Sequence, residues 1–133
     1  MYTCPCCQQT SLRTKIDVQN VRKAVEADRL TAKDTFKRTY IGHGRQSSVF
    51  VFQGHKGPFR KHIHITHDEI GYVLAGSGRV TVGETVREVR PGDIWVIPAN
   101  TPHAGEFESE PTEVLFISSP QEDPENPDRV WLD

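Results

Sequence analysis

The chain of 133 residues carries a net charge of −2, with 26% charged and 35% hydrophobic residues; that is one domain's worth, enough to bury a core without disulfide staples. The cations stand singly or in isolated pairs such as Arg60 and Lys61, which argues against a nucleic-acid partner, because phosphate neutralisation needs clustered Lys and Arg. No apolar run reaches the length of a membrane span, and the opening residues lack the charged-then-apolar layout of a secretory signal, so no membrane association and a cytoplasmic location are expected.

Three zones succeed one another: an N-terminal extension with helical signals over 1–46, a dense series of short strands over 47–119, and a Pro-rich acidic tail over 120–133. Cys4, Cys6 and Cys7 crowd one end and cannot staple distant parts of a fold. Zinc sites built on cysteine usually use two spaced pairs, so a reducible terminus is expected, with a metal shared between two subunits as the minor alternative. Val18, Val21 and Val25, with Ala24 beside them, recur at helical spacing behind Asp17, which predicts a short helix over 17–28 with Asp17 as N-cap. Thr31-Ala32-Lys33-Asp34 imitates a capping box and predicts a second turn of helix. Phe36, Tyr40 and Ile41 are expected to pack on the strands after them, and Gly42-His43-Gly44 to close the zone as a loop.

From Ser48 onward the pattern alternates. Val49-Phe50-Val51-Phe52, His62-Ile63-His64-Ile65, Glu69 to Leu74, Arg79 to Val82, Glu84 to Val89, Asp93 to Ile97 and Thr112 to Ser118 read as strands. Gly76-Ser77-Gly78, Gly83-Glu84, Pro91-Gly92-Asp93 and Pro98 to Pro102 supply the turns. So many short strands mean an all-β sandwich or barrel, without an internal repeat. Phe50 and Phe52 share one face, Val49 and Val51 the other, and one pair lines a cavity. The tail's prolines remove donors and its acids repel one another. Trp131 and Leu132 leave two options open there, docking on the barrel or a second subunit, or dangling.

The chemistry concentrates in four residues. His62 and His64 are two apart on an extended segment, so both imidazoles face the same side; Ile63 and Ile65 are expected to point into the opposing layer. Thr66-His67-Asp68 predicts a turn that returns the next strand antiparallel beside the first and brings Glu69 level with the pair. His103 comes after a loop fixed by Pro98 and Pro102. A single histidine on a strand is more often a surface or satisfied core residue, and a His-X-His pair alone is weak; the joint pattern carries the weight. Three imidazoles and a carboxylate suit a divalent transition metal (Fe, Mn, Ni, Co, Cu or Zn) and would leave two octahedral positions open, a layout for catalysis.

Gly57-(four residues)-His62-X-His64-(four residues)-Glu69-(six residues)-Gly76 and Gly92-Asp93-(nine residues)-His103 closely resemble the two motifs of the cupin superfamily. The resemblance covers about residues 47–119. It implies a double-stranded β-helix (jelly-roll) barrel, here with a short N-terminal helical segment, and His62, His64, Glu69 and His103 as metal ligands near the wider mouth. The chain departs from the pattern in the spacing after Gly57, in Asn100 where Gly is common, and in Phe107 where Asn is common; none is a ligand position.

Around this centre His67 is a rival ligand whose parity points it to solvent or the mouth. His43 and His55 read as surface residues. Tyr72, Trp95 and Phe116 are candidate pocket walls, Arg60 a candidate contact for an anionic substrate, and Glu106 an acid or base candidate better read as a surface carboxylate. The fold family hosts dioxygenases, isomerases, decarboxylases, lyases and non-catalytic binders, and fold does not choose among them. The leading expectation is a metal-dependent dioxygenase-type oxidoreductase on a small organic molecule. The alternatives are a non-enzymatic binding or sensing module, with the helical zone facing a partner, and a redox-neutral isomerase, lyase or decarboxylase. Barrels of this kind often pair through sheet edges, so a homodimer is expected.

Overall fold

The computed structural model describes residues 18–133; Cys4, Cys6, Cys7 and Asp17 lie outside the described residues. The elements are α1 (Val21–Ala27), β1 (Phe36–His43), β2 (Ser48–Gly54), β3 (Gly57–Ile63), β4 (Asp68–Ala75), β5 (Gly78–Val82), β6 (Thr85–Val89), β7 (Ile94–Ile97), β8 (His103–Phe107), β9 (Thr112–Ser119) and β10 (Val130–Trp131). The strands form two five-stranded sheets, ordered β1-β2-β9-β4-β7 and β10-β3-β8-β5-β6, with antiparallel pairing throughout. This is the double-stranded β-helix expected from the sequence.

Alternation sets what each sheet buries. In the first sheet the register lays Trp95, Gly71, Phe116 and Phe50 in one row across four strands, and Ile97, Glu69, Ser118 and Ser48 in the next. Gly71 is required there, because a Cβ would stand 2.3 Å from the Trp95 indole. The outer face of the same sheet is partly covered by α1, where Val25 is fully buried. Arg22 reaches Glu113 of β9 at 2.9 Å, and the buried Gln53 donates to the Asp28 carbonyl and accepts from the Leu30 N–H.

Several local expectations change. The helix is seven residues long, capped by Asn20, whose side chain accepts from the Lys23 N–H. The Thr31–Asp34 segment makes its box-like hydrogen bonds, with Asp34 accepting from the Thr31 N–H and hydroxyl, but turns once without continuing as a helix. An amphipathic stripe is what stabilises a short helix, and none comes after it. The chain enters β1 at Phe36 instead, and β1 runs through Gly42 and His43 with a bulge at Tyr40/Gly42. The sheet thus begins before residue 47.

The predicted hairpin between the His pair and Glu69 is replaced by a crossing. β3 lies in one sheet and β4 in the other, so Glu69 meets the histidines from across the barrel. β3 also carries a bulge between Phe59 and His62, which resets parity and turns both rings inward. Ile65 is 50% exposed and Ile63 is half-buried on the face of β3 opposite the inward His62, so neither enters the opposing layer. The tail docks on its own barrel: β10 pairs with β3, placing Trp131 opposite His62, and the Leu132 N–H donates to the Lys61 carbonyl at 2.9 Å.

Candidate metal centre

His62, near the end of β3, stands directly opposite His103 at the start of β8. His64 lies just beyond β3, and Glu69 comes from β4 in the facing sheet. The ring of His62 is centred 4.2 Å from that of His103 and 5.0 Å from that of His64, and the last two are 5.2 Å apart. Ring nitrogens of all three lie within 4.8 Å of one another. Glu69 places Oε2 2.9 Å from His64 Nε2 and Oε1 3.7 Å from His103 Nε2. All four side chains are buried.

The loops deliver them by specific ties. Before His103 the chain turns through Asn100, a non-glycine residue with φ of 63°. Asparagine tolerates that left-handed conformation, which accounts for its standing where the family often has glycine. The Asn100 N–H then donates to the His64 carbonyl at 2.6 Å, and the Ala99 N–H to Asp68 at 2.9 Å. The loop carrying His103 is thereby fastened to the turn carrying His64.

The imidazoles share one orientation. Nδ1 of His62 contacts the Arg60 carbonyl at 2.8 Å, Nδ1 of His103 the Thr101 carbonyl at 2.9 Å, and Nδ1 of His64 the Asp128 carbonyl. A carbonyl only accepts, so each Nδ1 carries a proton, and a ring that holds no second proton turns the lone pair of Nε2 inward. The Nε2 atoms of His64 and His103 are buried, and apart from the Glu69 carboxylate beside them no polar partner among the described residues meets them. Buried polar atoms are rarely left unmatched. This donor set fits a divalent transition metal, and the backbone carbonyls behind it are the outer support such ligands generally have.

Electrostatics agree. Burial pushes His62 down to about 4 and also lowers His103, which keeps both neutral. Burial opposes a proton on His64 too, but the Glu69 carboxylate beside it prevails and raises its pKa. Burial works against the charge of Glu69, yet the neighbouring histidines, His64 first, hold it below the usual carboxylate range. Without a metal, His64 and Glu69 thus act as an ion pair.

The four residues line a cavity of about 650 Å³, its open mouth included, together with the rings of Phe50, Phe52, Phe59, Trp95, Phe107 and Phe116. Phe50 and Phe52 are the inward pair, as their shared face allowed, and Trp95 and Phe116 are walls. Tyr72 is not; it points outward from β4 and is 39% exposed. Arg60 is exposed at the β3 bulge and does not reach the cavity. Glu106 is exposed beside Arg79, His43 is exposed, and His55 pairs with Glu110 on the outside.

The outward placement expected of His67 is overturned. Its side chain is buried at 2% exposure, with its ring 4.5 Å from that of His64 and Nδ1 3.3 Å from Asp128. With His64 and Glu69 it forms a second group of possible ligand atoms within 4.8 Å. Sequence reasoning also missed the tail's share of the site. Glu122 and Arg129 line the cavity, and Asp128 supplies the His64 carbonyl contact while its carboxylate accepts from the Thr66 N–H and hydroxyl. The one available signal was the pair of apolar residues, Trp131 and Leu132, in an otherwise polar tail.

Residues 48–118 match the family profile described as "Cupin domain". The chain is similar to quercetin 2,3-dioxygenase of Bacillus subtilis, 27% identical over 107 residues that cover 77% of this chain and 32% of that protein. It is 40% identical over 60 residues to the uncharacterized protein MJ1618 of Methanocaldococcus jannaschii, covering 44% and 48% of the two. It thus spans about a third of one curated relative's length and about half of the other's. Among solved structures it resembles KdgF from Halomonas sp., at 27% identity and a TM-score of 0.67 over 74% of this chain and 90% of that one.

Proposed function

The chain belongs to the cupin family, and on that premise we propose that it is a metal-dependent oxidoreductase of dioxygenase type acting on a small organic molecule. His62, His64, Glu69 and His103 would hold one divalent transition metal. The carrying observation is the convergence of three buried imidazoles, their Nε2 atoms turned inward, and one carboxylate at an aromatic-walled cavity. A bound metal of this kind supplies Lewis acidity with coordination positions left for substrate and oxygen. The protein's part is to fix the imidazoles through their Nδ1–H groups, to exclude water with the phenylalanine walls, and to shelter a charge that water would otherwise screen.

The remaining wall chemistry favours the oxidative reading over a redox-neutral one. Eliminations and isomerisations need a positioned acid or base. Apart from the ligand set, the only carboxylate lining the cavity among the described residues is Glu122, and it is bound to Arg38 at 2.7 Å. The similarity to quercetin 2,3-dioxygenase points the same way. The partner-facing role of the N-terminal zone in a sensing module has less support, because α1 is committed to the barrel's own outer face.

The test is oxygen uptake by protein reconstituted separately with iron, manganese, nickel, cobalt or copper, over a panel of diols, diketones and thiols. Substrate-dependent uptake with at least one metal is expected, and loss of uptake in His64→Ala. Product formed without oxygen would replace the oxidative reading with a redox-neutral one. We further propose a homodimer, in which a second copy covers edge strand β7 and the apolar side chains Tyr72, Ile94 and Val96 on the outer face beside it.

A further inference from the structure

Two arginines line the cavity, and their circumstances are opposite. Arg38 on β1 lies 4.0 Å from the centre of the Phe50 ring, with Nη2 2.7 Å from the carboxylate of Glu122. Its charge is matched within the fold. Arg129, delivered by the tail just before β10, has no acidic partner and no side-chain acceptor for its guanidinium among the described residues. It rests against the rings of Trp131 at 4.5 Å and Phe36 at 5.1 Å. Burial and the nearby Arg38 both work against its charge, with Glu122 and Glu69 partly in its favour. Ring faces stabilise a cation but accept none of the hydrogen bonds that five N–H donors can make.

The charge count of the cavity points in the same direction. Arg38 and Arg129 balance Glu69 and Glu122. A divalent metal held by the four-residue set would leave the cavity with two positive charges in excess, which an anion would relieve. The rest of the wall is largely apolar, so the body of that anion would be hydrocarbon or aromatic.

We propose that Arg129 is the anion-binding residue of this cavity and that the ligand is a small organic acid. Its carboxylate meets the guanidinium fork, and an oxygen or sulfur donor at its other end faces the metal. This inference rests on the metal reading above. A planar fork fits a carboxylate through two parallel hydrogen bonds. Arg129 takes the role the sequence suggested for Arg60, which stands outside on the bulge.

The experiment uses cobalt(II)-loaded protein, whose visible absorption reports metal occupancy and whose thiolate charge-transfer band reports ligand binding. The probes are 3-mercaptopropionate, its neutral analogue 3-mercaptopropionamide, and 2-mercaptoethanol as reference. The carboxylate is expected to bind about tenfold or more tightly than the amide, the scale of a charge-assisted pair. The ratio should fall to about one in Arg129→Met, which keeps packing length without charge, and be partly kept in Arg129→Lys. The reference thiol should bind all three alike. A ratio near one in the unsubstituted protein, or one unchanged in Arg129→Met, overturns the proposal; the first criterion holds whether or not the variant folds. If cobalt fails to bind, the metal reading falls separately. The anion site is then read in metal-free protein from tryptophan fluorescence, with benzoate against benzamide and the same criteria.

Discussion

His64 is the residue on which the centre's behaviour in solution turns. Its pKa is raised above 6.5 by Glu69 in the metal-free protein, and a metal would compete with that proton for Nε2. The protonated form favours the metal-free fold below the ordinary value, and this contribution disappears as pH rises through the folded value. Metal affinity therefore climbs over the same interval, and below it should drop by up to about tenfold per pH unit; a chelator-competition titration with zinc between roughly pH 5.5 and 8 checks both direction and slope. His62, pushed down to about 4, stays unprotonated there and adds no second step. Glu69→Gln should reduce bound metal at least about tenfold, read by elemental analysis of protein purified without chelator. The four residues are legible in the sequence because their types and spacing recur together, so no single position had to carry the reading. His67 is not, since the parity of His62 and His64 turns it outward. The chain leaves β3 at Ile63, and the turn beyond it swings His67 back against His64.

Among the elements, β4 and the tail bear the most weight. In β4, Gly71→Ala would put a methyl carbon 2.3 Å from the Trp95 indole. The ring must shift within a packed wall, costing about 1–3 kcal/mol, measurable by chemical denaturation together with a change in Trp95 emission. In the tail, Asp128→Ala removes two short hydrogen bonds to Thr66, at 2.6 and 2.7 Å. It should cost about 1 kcal/mol and loosen metal binding severalfold, because those ties hold the backbone whose carbonyl orients His64. Seven strand positions were legible from alternation, while β1, β8 and β10 were not, and alternation reports only which side chains share a face. It does not say which sheet the next strand joins, so the β3–β4 crossing between layers looked like a hairpin. The tail was opaque for a related reason. Prolines and acids keep 120–127 out of any strand, and what anchors the segment is long-range: Glu122 on Arg38, Asp128 on Thr66, and two residues of β10 on β3.

For the whole molecule, the apolar outer face of β4 and β7 sets the expected assembly. Ile94 and Val96 are 66% and 63% exposed on the edge strand, and a second copy would remove them from water. Sedimentation should give a dimer, and Ile94→Glu should give a monomer whose unfolding midpoint no longer depends on protein concentration; a monomeric unsubstituted protein would refute the pairing. The support behind the imidazoles has a different kind of reach. Every acceptor that fixes an Nδ1–H is a peptide oxygen, from Arg60, Thr101 or Asp128, so the donor geometry is encoded in the path of the chain more than in neighbouring side chains. Lineages could exchange the cavity's phenylalanines or its arginines one by one, altering what is accepted, while the inherited donor frame stayed as it was. Diversification of such a barrel is then a matter of upholstery over a fixed frame.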